Sequence, residues 1–374
     1  MKSTFGNHIT VSIFGESHGQ TIGCVIDGLA PGIRLDLDYL QAEMEKRKAF
    51  GRISTARQEQ DAVEIVSGFF NGYTTGTPLC MLIHNQVQHS KDYEATRYKA
   101  RPSHADYTAQ VKYLGYQDYR GGGHFSGRIT APVVAAGAIC RQILAQKGIH
   151  IGSHLVQCKD VYEEPFSQDI QTLTQQIHAM NQKRFAALSE EKEKAMTAVI
   201  EQAAREGDSV GGILETAVIG VPAGIGEPFF QSVESEISHL LFSIPAIKGV
   251  QFGIGFAFAD LFGSEANDPF RMDAAGKVVT TTNHNGGING GITNGMPIVL
   301  RSVVKPTASI YKTQQTIDMH TMENTELNIV GRHDPAIVHR ARVVVDAMVA
   351  IALVDLFADR YGYLWMREET CVSD

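Results

Sequence analysis

The chain has 374 residues, 43% of them hydrophobic and 20% charged, an ordinary composition for a protein that buries a large core. A formal net charge of -8 and a pI near 6.0 argue against a nucleic-acid or acidic-membrane partner, so positive charge aimed at an anionic ligand must be local. The five cysteines (Cys24, Cys80, Cys140, Cys158 and Cys371) are odd in number and form no C-x-x-C pair, which fits a reducing compartment without structural zinc.

Taken in chain order, residues 1–10 lack the run of about 7–15 apolar residues that a signal peptide needs. The longest apolar stretches, near 131–140 and 347–354, fall short of the roughly 20 residues that span a bilayer, so a cytoplasmic location is expected. Residues 9–15 alternate apolar and polar side chains and 21–27 are rich in β-branched ones, which predicts strand, tight loop, strand. Residues 38–48 predict a helix with an Asp cap at its start and basic residues at its end, as the helix dipole favours. Residues 49–60 are polar and arginine-bearing, a loop expected to be mobile. From 130 to 147 apolar residues recur at helical spacing until Gly148 ends the pattern.

Residues 163–206 are rich in Gln, Glu and Lys and predict a peripheral helical excursion. Strand composition returns at 211–222, a helix is expected over 232–241, and another strand over 249–258. The run NHNGGINGGITNG at 283–295 tolerates positive φ and exposes backbone N–H groups to a ligand. A strand at 296–304 leads into KPTAS, and a last long helix is expected over 335–361 with Pro in its first turn. Strands interleaved with fewer, irregularly placed helices predict an α+β fold, a layered β-α-β sandwich in one domain spanning 1–374. A strand-strand-helix echo between the halves raises an internal duplication.

Four motifs carry chemistry. GESHG at 15–19 fits the nucleophile-elbow pattern of serine hydrolases, but the elbow demands strand, turn, helix, and a strand is expected after it here. RPSHADY places Arg101, His104 and Asp106 together. DYRGGGHFSGR puts three glycines, then Ser126 and Arg128, at a helix entry, which favours an anion or cofactor site. It is neither a G-x-G-x-x-G nor a Walker loop, so no dinucleotide fingerprint or P-loop is supported. GRHDP sets an arginine, a histidine and an aspartate ahead of a helix, where Asp334 before Pro335 also suits a helix cap. No H-E-x-x-H or other ligand spacing points to a metal.

Jointly, in order and separation, GESHG, RPSHADY, GGGHFSGR, KPTAS and GRHDP resemble chorismate synthase over almost the whole chain. Two stretches depart from the commonest family pattern. GGGHFSGRIT stands where the family more often has GGGRSSARET, so His124, Phe125 and Ile129 replace Arg, Ser and Glu, while EKRKAFGR carries fewer arginines than usual. The resemblance implies conversion of 5-enolpyruvylshikimate 3-phosphate to chorismate and phosphate by a carbon-oxygen lyase that requires reduced FMN without net redox change.

By the same resemblance, His18 protonates the leaving phosphate and His104 manages flavin protonation. Asp334 assists removal of the ring proton, with Ser17 placing it. Arg47, Arg52, Arg57, Arg101, Arg128 and Arg332 bind the phosphate and carboxylates of the substrate. FMN lies among His124, Phe125, Ser126, Ala246, Gly290, Lys305, Pro306, Thr307, Ala308, Ser309 and Arg332. A homotetramer is implied, and NADPH enters only indirectly, through an external flavin reductase. The alternatives are a serine hydrolase built on GESHG and a non-catalytic flavin- or phosphate-binding module.

Overall fold

A computed structural model describes residues 3–51, 53–54, 60–86, 97–329 and 333–368. The first half runs β1 (Thr4–Phe5), β2 (Thr10–Phe14), β3 (Thr21–Asp27), α1 (Leu37–Arg47), β4 (Val63–Ser67), β5 (Leu79–His84), α2 (Asp106–Lys112) and α3 (Thr130–Gln146). The second runs β6 (His150–Cys158), β7 (Val161–Tyr162), α4 (Ile170–Gln182), α5 (Glu190–Arg205), β8 (Gly212–Ile219), α6 (Val233–Ser243), β9 (Ile247–Phe252), β10 (Ile298–Val304) and α7 (Val338–Tyr361). Two five-stranded antiparallel sheets result, in the orders β1-β2-β3-β5-β4 and β7-β6-β8-β10-β9.

The two halves share one topology. β2-β3-α1-β4-β5-α3 and β6-β8-α6-β9-β10-α7 each fold as β-β-α-β-β-α, and in each sheet the fourth strand inserts between the second and third. The echo seen in the sequence is therefore a repeat of architecture. Helix α3 packs on the first sheet, α7 on the second, and each on the other, which makes the β-α-β sandwich. Both are buried almost throughout, as a helix between two sheets must be, with Arg141 of α3 and Arg342, Asp346 and Asp355 of α7 among the buried residues. Gly137 allows their closest approach, since a Cβ there would lie 2.2 Å from that of Ala347. The stretch Gly127–Gln146 is long and apolar enough to cross a membrane, but most of it is buried in this interior.

Several expectations need correction. The strand over 249–258 ends at Phe252, and Gly255–Asp260 is a 3-10 turn. Gly253 (φ 55°) turns the chain there against the carbonyl of His284, which a side chain would strike. The last helix starts at Val338, because the Pro335 carbonyl is taken by the Val210 N–H at 2.8 Å, and Asp334 ion-pairs Arg340 without capping the helix. Strands β4, β5 and β6 had no sequence counterpart. The run LCMLIH in β5 is short and continuously apolar, a pattern that does not separate strand from helix.

The excursion is helical as expected, and α4 lays Leu173, Ile177 and Met180 against the second sheet. A buried cluster ties it down. His154 on β6 lies 3.4 Å from Glu163 and 3.1 Å from Glu215. Glu163 accepts the N–H groups of Leu188 and Ser189, and Glu215 that of Phe166.

Candidate active site

The GESHG segment joins two antiparallel strands, β2 and β3, so the geometry of a hydrolase elbow is absent. Ser17 and His18 are nevertheless only 1% and 4% exposed. Ser17 is held at both ends: its N–H donates to the Gly123 carbonyl at 3.1 Å, and its hydroxyl faces the Arg120 and Gly121 carbonyls, each at 3.1 Å. With that proton given to a carbonyl, the His18 Nδ1–H is the donor to Ser17 Oγ, 3.2 Å away.

The glycine run explains itself here. Gly121, Gly122 and Gly123 all have positive φ (58°, 85° and 54°). A Cβ on Gly121 would fall 2.2 Å from His18 Cε1, and one on Gly123 would fall 2.1 Å from the Asp118 carbonyl oxygen. Three consecutive glycines thus let backbone cover His18 closely. Ser126 then accepts the Arg128 N–H and opens the turn that enters α3.

Arg47 is inward because it shares the core stripe of α1 with Leu40, Glu43 and Met44. Its Nη2 donates to Asp61 Oδ2 at 2.5 Å, and the other oxygen of Asp61 takes Nη1 of Arg128. Burial pushes the Asp61 carboxyl up, but the two guanidinium groups outweigh it and hold the group below the usual carboxylate range. Arg128 Nε donates to Asn85 Oδ1 at 2.9 Å, and Asn85 Nδ2 donates to the Gly19 carbonyl at 2.8 Å, which links the pair to the His18 loop. Two cations share one anion. Arg47 Nε and Arg128 Nη2 are buried with no hydrogen-bond partner among the described residues.

A second cluster forms where RPSHADY meets KPTAS. Asp106 clamps Arg101 through two guanidinium contacts of 2.8 Å each. His104 Nδ1 faces the Pro102 carbonyl at 3.1 Å and must carry the proton, so Nε2 accepts from the Ser309 hydroxyl at 3.0 Å. Burial first, then the charge of Arg101, pushes His104 down to about 4, which makes it neutral at pH 7. Lys305 Nζ donates to the Ser103 carbonyl, and the Lys305 N–H donates to Ala246, whose φ is 75°. Pro306 packs at Gly211, the Thr307 carbonyl accepts from Ser209, and the Thr307 hydroxyl is buried without a partner among the described residues. Ala308 completes this segment. The clusters meet at Gly122, where a Cβ would be 3.8 Å from Arg101 Nη2.

In the hairpin turn Ile288–Thr293 that carries Gly290, the Gly291 carbonyl accepts the Val233 N–H at the start of α6 at 3.0 Å. Phe125 is 42% exposed and sets its edge on Tyr113. His124 turns its Nδ1 to the Gly15 carbonyl at 2.8 Å and so braces the root of the His18 loop. Arg52, Arg57 and Arg332 lie outside the described residues.

The sequence reading missed Asp61, Asn85 and Arg340. Asp61 had a signal, an acid directly after an arginine-bearing loop, and Arg340 had one as a charge entering an apolar helix. Asn85 had none.

Residues 9–358 match the sequence profile of the chorismate synthase family. Among curated proteins, the chorismate synthase of Thermococcus gammatolerans is 46% identical over 356 residues, covering 94% of this chain and 96% of that protein. That of Dehalococcoides mccartyi is 46% identical over 358 residues, covering 95% and 96%. A solved crystal structure of chorismate synthase superposes with a TM-score of 0.76 at 27% identity, covering 96% of this chain and 94% of the other. With the motifs converging as described, the chain belongs to the chorismate synthase family, an enzyme family of carbon-oxygen lyases.

Proposed function

We propose that this chain eliminates phosphate from 5-enolpyruvylshikimate 3-phosphate to give chorismate, with reduced FMN, as a cytoplasmic homotetramer acting through one domain per chain. The observation that carries the reading is the Asp61-bridged pair. Arg47 Nε and Arg128 Nη2 sit beside the His18 loop, buried and without a hydrogen-bond partner among the described residues, a costly arrangement that a phosphate or carboxylate relieves.

His18 is the proton donor to the leaving phosphate oxygen, held in place by Ser17 and the close backbone of Gly121. Asp334 assists removal of the ring proton, with Ser17 placing it. His104 is neutral before ligands bind, so it can take up a proton when an anionic ring settles beside it. Arg101 adds a charge that Asp106 aligns. Arg52, Arg57 and Arg332 complete the anion-binding set.

The Thr307 hydroxyl, buried without a partner among the described residues, the Lys305–Ser309 segment and the capped turn at Ser126 fit a flavin ring and phosphate, with His124, Phe125, Ala246 and Gly290 at its margin. Reduced FMN, once bound, would supply electron density to the allylic system without net redox change. An external flavin reductase supplies the electrons, with NADPH its indirect source. Turnover under anaerobic conditions should therefore occur with reduced FMN, leave the flavin reduced, and vanish with oxidised FMN. Equal turnover with oxidised flavin would contradict the cofactor role.

A further inference from the structure

We infer that Arg340 is a positioning residue that locks Asp334 to the arginine-bearing end of α1, an inference that rests on the proton-removal role proposed for Asp334. Arg340 lies in the first turn of α7 and uses two edges of its guanidinium. Nη1 donates to Asp334 Oδ2 at 2.7 Å, and Nε donates to the backbone carbonyl of Arg47 at 2.9 Å. The Arg47 carbonyl is one of the last of α1, where carbonyls lack helical partners and carry the negative end of the dipole. One side chain therefore spans the base and the substrate-binding arginine.

Asp334 precedes the helix, whose N-cap is Ile337 without a side-chain bond. The Arg340–Asp334 pair is one-fifth exposed or less on both sides, so solvent screens it little. The planar fork suits the double contact. A lysine offers one ammonium and reaches the carboxylate or the carbonyl in turn, with less fixed geometry. Arg47 is itself anchored by Asp61, so the Arg340 bridge passes that fixed position on to Asp334.

The test compares Arg340→Gln, Arg340→Lys, Asp334→Asn and the double variant Asp334→Asn/Arg340→Gln, as full chains with reduced FMN and 5-enolpyruvylshikimate 3-phosphate. Thermal unfolding and flavin binding serve as fold controls. Arg340→Gln should lower kcat by roughly 10- to 100-fold, the scale of a misplaced catalytic group, with KM changed less than threefold or so. Arg340→Lys should recover part of the loss. The double variant should be within about twofold of Asp334→Asn alone, because residues acting through one group are not additive. Wild-type kcat in Arg340→Gln beside a slowed Asp334→Asn, or losses that multiply in the double variant, would overturn the inference alone. Wild-type kcat in Asp334→Asn would remove the role of Asp334 and this inference with it.

Discussion

At the scale of single residues, the site separates two histidines by environment. His18 donates from Nδ1 to a serine whose own proton is spent on backbone carbonyls, whereas His104 donates to a carbonyl and accepts from Ser309. His104 should accordingly titrate near 4 in the ligand-free protein, read by histidine NMR, and move upward when inorganic phosphate or reduced FMN binds. A midpoint near 6.5 in the free protein would show that neither burial nor Arg101 acts as described. The residues on which this rests were visible in the motifs, because chemistry-bearing side chains cluster along the chain. The partners of Arg128 were harder to see: Asp61 and Asn85 act across 67 and 43 positions, and only Asp61, beside an arginine-bearing loop, left a local signal.

Among the elements, the excursion of α4 and α5 is fastened through His154. Burial alone would lower this histidine, but Glu163 and Glu215 outweigh it and raise it above its usual value. A raised histidine contributes stability that is complete below the unfolded value near 6.5 and is lost as pH rises through the folded one. His154→Gln leaves Glu163 buried without its cation, while Arg301 still reaches Glu215 at 2.8 Å. The variant should lose about 3–5 kcal/mol at pH 6, and the deficit should narrow at alkaline pH. Equal unfolding free energies at pH 6 would contradict the clamp. Element types were readable wherever a period was sustained, as in α1 and α3. They failed where tertiary contacts decide, as at Pro335, whose carbonyl belongs to Val210, and at Gly253, which turns beneath His284.

Across the whole molecule, two β-β-α-β-β-α halves meet through α3 and α7. That contact is tight enough to test. Gly137→Ala adds a helix-favouring methyl but drives it 2.2 Å from the Ala347 Cβ, so the variant should lose about 1–3 kcal/mol by denaturant unfolding, in spite of a propensity gain of up to about 1 kcal/mol. A variant as stable as the wild type would mean that the two helices can part without cost. The α+β sandwich was legible as an alternation of strand and helix signals, and its repeat only as a strand-strand-helix echo, since β4, β5 and β6 left no trace. The insertion of the fourth strand between the second and third was not, because pairing order leaves no local trace. This arrangement brings GESHG, RPSHADY, GGGHFSGR and KPTAS, distant in the chain, to one place. The most direct measurement is an anaerobic assay of purified protein with chemically reduced FMN and 5-enolpyruvylshikimate 3-phosphate, following chorismate absorbance and released phosphate together. Equal amounts of both, appearing at one rate, are predicted. Phosphate without chorismate, or neither product from folded, flavin-binding protein, would contradict the proposed elimination.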